Sequence, residues 1–199
     1  MDASVLRACV LSGGLSRRMG RDKALLAHPR GGVWLTALVS VLQELGLPVV
    51  VVTRHASHAS VLQTFAHVAV LLEPEPWDGP LIALSKVLSE QDGSPLLLCP
   101  VDMPLLSPAI LRTLMDAWLL RPDRLVVADD GSGLMPLLAI IPSGPLYADA
   151  LQRFLASGQR RWQAWLTSVP HRRVLLPAVS LRNLNDPADL DALRVDSGR

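Results

Sequence analysis

Short runs of aliphatic and β-branched residues alternate along this chain with longer stretches in which apolar side chains return every three or four positions. Val5 to Leu11 is the first run, short enough to read as a buried parallel strand. Val33 to Leu45 carries Trp34, Leu35, Leu38, Val39, Val41, Leu42 and Leu45, a broad stripe of helical period that Gly46 closes. Pro48 to Thr53 is a valine-rich second strand, Ala59 to Phe65 a weaker helix, and Val68 to Leu72 a third strand. Glu73 to Pro80 is a loop rich in proline, Leu81 to Ser89 a helix, and Ser94 to Cys99 a fourth strand. Pro108 to Leu120 is a helix with proline in its first turn, followed by a fifth strand at Leu125 to Ala128.

Regular alternation of this kind predicts an α/β three-layer sandwich in one domain spanning residues 1–199. Parallel neighbours need helical crossovers, and right-handed crossovers place helices on both faces of the sheet. Ligands are then expected at the carboxyl ends of the strands. Asp129 to Gly133 reads as a turn, after which Leu137 to Ile141 returns as the one antiparallel strand of a mostly parallel sheet. Beyond it the pattern predicts a helix from Pro145 to about Ser157, a Trp162/Trp165 segment, a strand at Arg173 to Leu176 and a last helix at Pro187 to Leu193.

Composition narrows the function classes. Hydrophobic residues make up 50% of the chain and charged residues 19%, with a net charge of +1, so a general nucleic-acid partner is not expected. No apolar run approaches the roughly 18 residues of a membrane span, and the start of the chain lacks a signal-peptide pattern. A cytoplasmic monomer without membrane attachment is expected. Cys9 and Cys99 sit inside apolar strands and read as core thiols. His55, His58, His67 and His171 show no metal-ligand spacing and are expected on the surface.

Chemistry concentrates first in Leu11-Ser-Gly-Gly-Leu-Ser-Arg-Arg-Met-Gly-Arg-Asp-Lys23, directly after the first strand. The glycine pair permits positive φ and close approach of backbone N–H groups, and Arg17, Arg18, Arg21 and Lys23 bring four cations to one loop. A polyphosphate suits that combination. The stretch is neither a Walker A loop nor a G-x-G-x-x-G fingerprint, since Gly14 and Gly20 are too far apart for the first and the second is absent. A second centre is Leu98-Cys-Pro-Val-Asp-Met-Pro104, where a strand delivers Asp102 to its carboxyl end between two prolines. One carboxylate plus nucleotide phosphates is a usual set of partners for Mg²⁺.

Two further segments complete the candidates. In Glu73 to Leu84, Gly79-Pro80 opens a helix, and Glu73 or Asp78 can accept hydrogen bonds from a base or ribose. In Asn183 to Leu190, Asp186 is an N-cap before Pro187, which leaves Asn183 and Asn185, alternating on one strand face, free for a ligand.

Taken in order, these four motifs resemble the molybdenum cofactor guanylyltransferase family of nucleotidyltransferases. The resemblance implies a Rossmann-like fold, GTP as cosubstrate, Mg²⁺ as metal, and transfer of GMP to molybdopterin carrying molybdenum with release of pyrophosphate. By position, Leu11, Ser12, Gly13 and Gly14 would line the nucleotide, Lys23 would contact its phosphates with Arg18 beside it, and Asp102 would hold Mg²⁺. Glu73 aligns loosely with an acidic nucleotide contact, and Asn183, Asn185 and Arg161 with the acceptor side. Molybdoenzyme maturation proteins are the partners such an enzyme implies. The chain departs from the family at Met135-Pro136, where a His-Pro pair is common, and at Thr53 or Arg54, where an asparagine stands. The loop motif does not read the base. Cytidylyl or other nucleotidyl transfer, to molybdopterin or another phosphorylated acceptor, therefore stays open, as does a non-catalytic nucleotide-binding adaptor.

Overall fold

The computed structural model describes residues 6–14, 21–29, 31–90 and 93–184. Along the chain these form β1 (Arg7–Leu11), α1 (Trp34–Glu44), β2 (Val49–Thr53), α2 (Ser57–Leu62), β3 (Val68–Leu72), α3 (Pro80–Glu90) and β4 (Leu96–Pro100). They continue as α4 (Pro108–Leu119), β5 (Leu125–Asp129), β6 (Leu134–Ile141), α5 (Pro145–Ala156), α6 (Trp162–Ser168) and β7 (His171–Leu175). Two 3-10 turns, Lys23–Leu25 and Ala178–Leu181, complete the set. Among the described residues no helix is long and apolar enough to cross a membrane.

Seven strands lie in one sheet in the order β3-β2-β1-β4-β6-β5-β7, and β6 alone runs against its neighbours. Strict alternation of side chains across the pleat gives two cores, one per face. Ala8, Val10, Val49, Val51, Leu97 and Cys99 face the layer built by α1, α2 and α4. Cys9, Val50, Val52, Leu96 and Leu98 face the layer that contains α3, α5 and α6. Every residue of β2 and β4 is buried, which is why these strands read as unbroken apolar runs rather than alternating ones.

Chain order fixes where a ligand can bind. From β1 the sheet grows outward through β2 to β3, and the chain then crosses back so that β4 lies on the other side of β1. The crevice at the carboxyl ends of β1 and β4 is the switch point at which α/β sheets bind ligands. Register aligns the two exits, with Leu11 opposite Pro100. The signature loop and the Asp102 segment thus leave the sheet side by side.

Several boundaries differ from the sequence pattern. The antiparallel strand begins at Leu134 rather than Leu137, because a bulge between Val127 and Ala128 lets Met135 and Leu134 pair with β5 on the far side of Pro136. Proline lacks the N–H that a regular ladder needs, so the apolar pattern alone stops there. The edge strand β7 occupies His171–Leu175, two residues earlier than expected at its start, and its Arg173 Nε donates to Asp129 Oδ2 at 2.6 Å. Asn183 lies in no strand; it follows the second 3-10 turn. The last predicted helix, Pro187 to Leu193, lies outside the described residues, as do Arg18, Asn185 and Asp186.

Cys9 and Cys99 are both fully buried, on neighbouring strands but on opposite faces of the sheet. Burial disfavours a charged thiolate and lifts the Cys9 thiol to about 12; it raises Cys99 as well. Neither thiol is expected to react with Ellman's reagent at mildly alkaline pH in the native protein, and both should become reactive together when guanidinium unfolds the chain. Rapid labelling of either one in the native state would contradict this packing.

Candidate active site

A cavity of about 360 Å³ opens at the switch point. Leu11, Ser12, Gly13 and Gly14 line it at the end of β1, together with Lys23, Asp102, Arg54, Glu73 and Trp77. Gly79, Pro80 and Ala83, at the start of α3, also line it, so the positive end of that helix faces the space. Most of the nucleotide-loop candidates named from sequence therefore meet in one place.

Lys23 and Asp102 are the charged centre. Lys23 Nζ lies 3.7 Å from Asp102 Oδ2, and both side chains are largely shielded from solvent. Burial raises the Asp102 carboxyl above the usual carboxylate range, while the Lys23 ammonium pulls it back. A carboxylate held there at the end of an apolar strand is costly unless a cation shares the site. Asp102 also connects to the far end of the chain, because its carbonyl oxygen accepts from Leu184 N–H at 3.0 Å. Leu184 is buried against Leu26 and Trp34, and this brings Asn183, whose side chain is exposed, close to the Asp102 segment.

The glycines act through space rather than through unusual torsion. Neither Gly13 nor Gly14 has positive φ. A Cβ on Gly13 would stand 2.8 Å from Glu73 Oε2, so a side chain there would displace the carboxylate from its place in the cavity. Among the described residues nothing lies within 4 Å of the equivalent point on Gly14. Burial raises the Glu73 carboxyl, with Lys86 and Arg54 drawing it back down. Asp78, the other acidic candidate of that loop, is exposed and does not line the cavity.

Arg54 and Trp77 are residues that sequence did not assign to the site in these roles. The Arg54 guanidinium lies 4.6 Å from the Trp77 ring centroid, and the indole N–H donates to Glu73 O at 3.1 Å. Arg54 Nη2 is closed off from solvent and has no hydrogen-bond acceptor among the described residues. A buried guanidinium N–H without a partner is costly, and a ligand acceptor would remove that cost. Met135, at the position of the expected His-Pro departure, packs against the core, while Leu137 of the same strand lines the cavity. Arg161 is exposed at the start of α6 and is not a lining residue.

The expectation that all four histidines are superficial fails at His58, which is 0% exposed. Its Nε2 donates to Asp22 Oδ2 at 2.7 Å, and its Nδ1 faces Thr53 Oγ1 at 2.8 Å and Ser12 Oγ at 3.3 Å. Burial is the largest influence and lowers the His58 pKa, against the pull of the Asp22 carboxylate. Thr53 is also fully buried; its hydroxyl accepts from His55 N–H at 3.0 Å. The candidate asparagine position is thus a framework residue. Its neighbour Arg54 is the one that reaches the cavity.

Among the described residues no group of three or more His, Cys, Asp or Glu could cage a metal ion. The donor set nonetheless fits Mg²⁺, which keeps several waters and binds through one or two carboxylates together with substrate phosphates. Asp102 supplies such a carboxylate beside open space.

Comparison with known proteins agrees with this geometry. Residues 8–172 match the model of the MobA-like NTP transferase domain. A probable molybdenum cofactor guanylyltransferase of Rhodopirellula baltica is 36% identical over 93% of this chain and 90% of its own length. One from Mycobacterium avium is 33% identical over 96% of each chain. The crystal structure of molybdopterin-guanine dinucleotide biosynthesis protein A from Archaeoglobus fulgidus superposes with a TM-score of 0.74 at 21% identity, covering 97% of this chain and all of that one, a likeness of fold. With a switch-point cavity built from the glycine loop, Lys23 and Asp102, and with this match over most of its length, the chain belongs to the MobA-like NTP transferase domain family.

Proposed function

We propose that the chain is a molybdenum cofactor guanylyltransferase, which transfers GMP from GTP to the terminal phosphate of molybdopterin carrying molybdenum. The observation that carries this reading is the Lys23–Asp102 pair lining the same cavity as the Gly13–Gly14 backbone. The relatives named above are described by that activity, which supports the acceptor. In the same reading the enzyme is a cytoplasmic monomer that passes its product to molybdoenzyme maturation proteins.

In the reaction an oxygen of the acceptor phosphate attacks the α-phosphorus of GTP. A bond forms between them, the bond from the α-phosphorus to the bridging oxygen breaks, and pyrophosphate leaves with the electron pair. A phosphate nucleophile is anionic at neutral pH, so no side chain has to remove a proton. Positioning and charge neutralisation remain as the protein's tasks. Lys23 offsets charge on the phosphates, and Arg18 shares that task in this reading. Asp102 would hold Mg²⁺, and that ion would supply further positive charge to the phosphate oxygens. Gly13 and Gly14 let the backbone approach the nucleotide, and the start of α3 adds its aligned N–H groups. On the acceptor side, Asn183 is adjacent in sequence to the residue that hydrogen-bonds the Asp102 segment, with Asn185 and Arg161 completing the acceptor contacts in this reading.

Base selection falls to Arg54 and Glu73, which line the same cavity. Guanine presents acceptors at O6 and N7, whereas adenine places an amino group where O6 would be. The unpartnered Arg54 N–H suits an acceptor there, and Glu73 suits the donors N1–H and N2–H₂. This is the observation that favours guanylyl over other nucleotidyl transfer.

Incubation with GTP, Mg²⁺ and molybdopterin should yield the guanine dinucleotide by mass, with pyrophosphate release greatest for GTP among the four NTPs. Replacement Asp102→Ala should lower kcat by at least roughly 100-fold, the scale of losing a central electrostatic group. Full turnover in that variant at saturating Mg²⁺ would remove Asp102 from the mechanism. Replacement Arg54→Ala should narrow the preference for GTP over ATP by about tenfold, within the range of one lost base contact. An unchanged preference would mean the base is read elsewhere.

A further inference from the structure

The loop between Ser12 and Asp22 begins on β1 and ends at the 3-10 turn that carries Lys23, and one buried side chain touches both ends. His58 comes from α2, far away in sequence, and is 0% exposed. Toward the far end of the loop its Nε2–H donates to Asp22 Oδ2 at 2.7 Å. The other oxygen of Asp22 caps the turn by accepting Ala24 N–H at 3.0 Å. Toward the near end His58 Nδ1 meets Ser12 Oγ at 3.3 Å and Thr53 Oγ1 at 2.8 Å, and Thr53 Oγ1 lies 3.3 Å from Ser12 O. A carboxylate only accepts, so Nε2 carries a proton and Nδ1 is left to accept from the hydroxyls.

Nothing in the transfer chemistry requires this arrangement. A buried imidazole costs more than a leucine of similar volume unless both nitrogens are partnered, and here the partners come from the two ends of one functional loop and from the end of β2. Because both Asp22 oxygens are occupied by protein donors, Asp22 is committed to holding Lys23 in place, although it lines the cavity. His55 is the other titratable group facing the pair, with its Nε2 4.0 Å from Asp22 Oδ2 and its ring centroid 5.2 Å from that of His58.

We propose that His58 is a positioning residue that fastens both ends of the 12–22 loop, fixing Lys23 and the Ser12–Gly13 backbone against one phosphate chain. The clamp itself stands on geometry; its consequence for turnover rests on the nucleotide reading given above.

Trypsin provides a test that needs no nucleotide, since Arg21 and Lys23 flank Asp22 at the end of the loop while Arg112 and Arg153 lie in α4 and α5. In the apo protein, His58→Ala should speed cleavage at the loop sites by about tenfold relative to Arg112 and Arg153, the scale of one buried hydrogen bond to a charged group. It should also raise KM for GTP by a comparable factor with a smaller change in kcat. His58→Gln, whose amide nitrogen can still reach Asp22, should recover part of both effects. If His58→Ala does not fold, His58→Gln and His58→Asn, each keeping one of the two reaches, carry the same comparison. Equal acceleration at all sites, or loop cleavage at the wild-type rate, would show an ordinary core histidine and overturn the clamp. If the wild-type protein turned over no nucleotide, the function proposed above would fall and proteolysis alone would decide the clamp.

Discussion

Parallel pairing between β1 and β4 is the constraint from which the site follows. With Leu11 set against Pro100, two segments distant in sequence leave the sheet at the same level and on the same edge. The loop that begins at Ser12 supplies backbone and cations, and the segment that begins at Val101 supplies the carboxylate. Slippage by one residue would turn Cys9 and Val10 to the wrong faces, and two fully packed cores oppose this. The precision of the site is therefore maintained by apolar packing well below it.

Electrostatics then divides the cavity lining between two clusters. At one, a half-buried carboxylate and an ammonium stand 3.7 Å apart, a pairing suited to polyanion and metal chemistry. At the other, Arg54 stacks on Trp77 beside Glu73, an arrangement with an aromatic face, a donor and an acceptor. An elongated ligand with a charged tail and a flat heteroaromatic head matches that division. Donors that the protein leaves without partners are part of the match, because they cost least once a ligand is bound.

Much of this was legible in the chain because it is written in local patterns. The succession of strands and helices, the glycine loop, and the delivery of Asp102 to a strand end all depend on residues within a short window, where periodicity and turn chemistry act. Other features escaped for identifiable reasons. Pro136 interrupts an apolar run, yet a bulge on the neighbouring strand accommodates it. Asn183 reads as strand by alternation, but it is placed by the bond from Leu184 to Asp102 and by the burial of Leu184.

His58 marks the boundary most clearly. In sequence it is one polar residue in the weakly amphipathic stretch Ser57–Leu62, and such residues are usually solvated. Its burial depends on α2 packing against α1 and β3, which places Ser12 and Asp22 within reach of one imidazole. Sequence by itself determined the layers, the edge at which the cavity opens, and the Gly-Gly, Lys23 and Asp102 set that lines it, since each follows from near-neighbour patterning and chain connectivity. Only the tertiary structure decided that His58 joins Ser12 to Asp22, that Arg54 rather than Thr53 faces the cavity, and that Gly13 lies against the Glu73 carboxylate. Those depend on contacts between residues far apart in the chain, whose distances are set only when both faces of the sheet have packed.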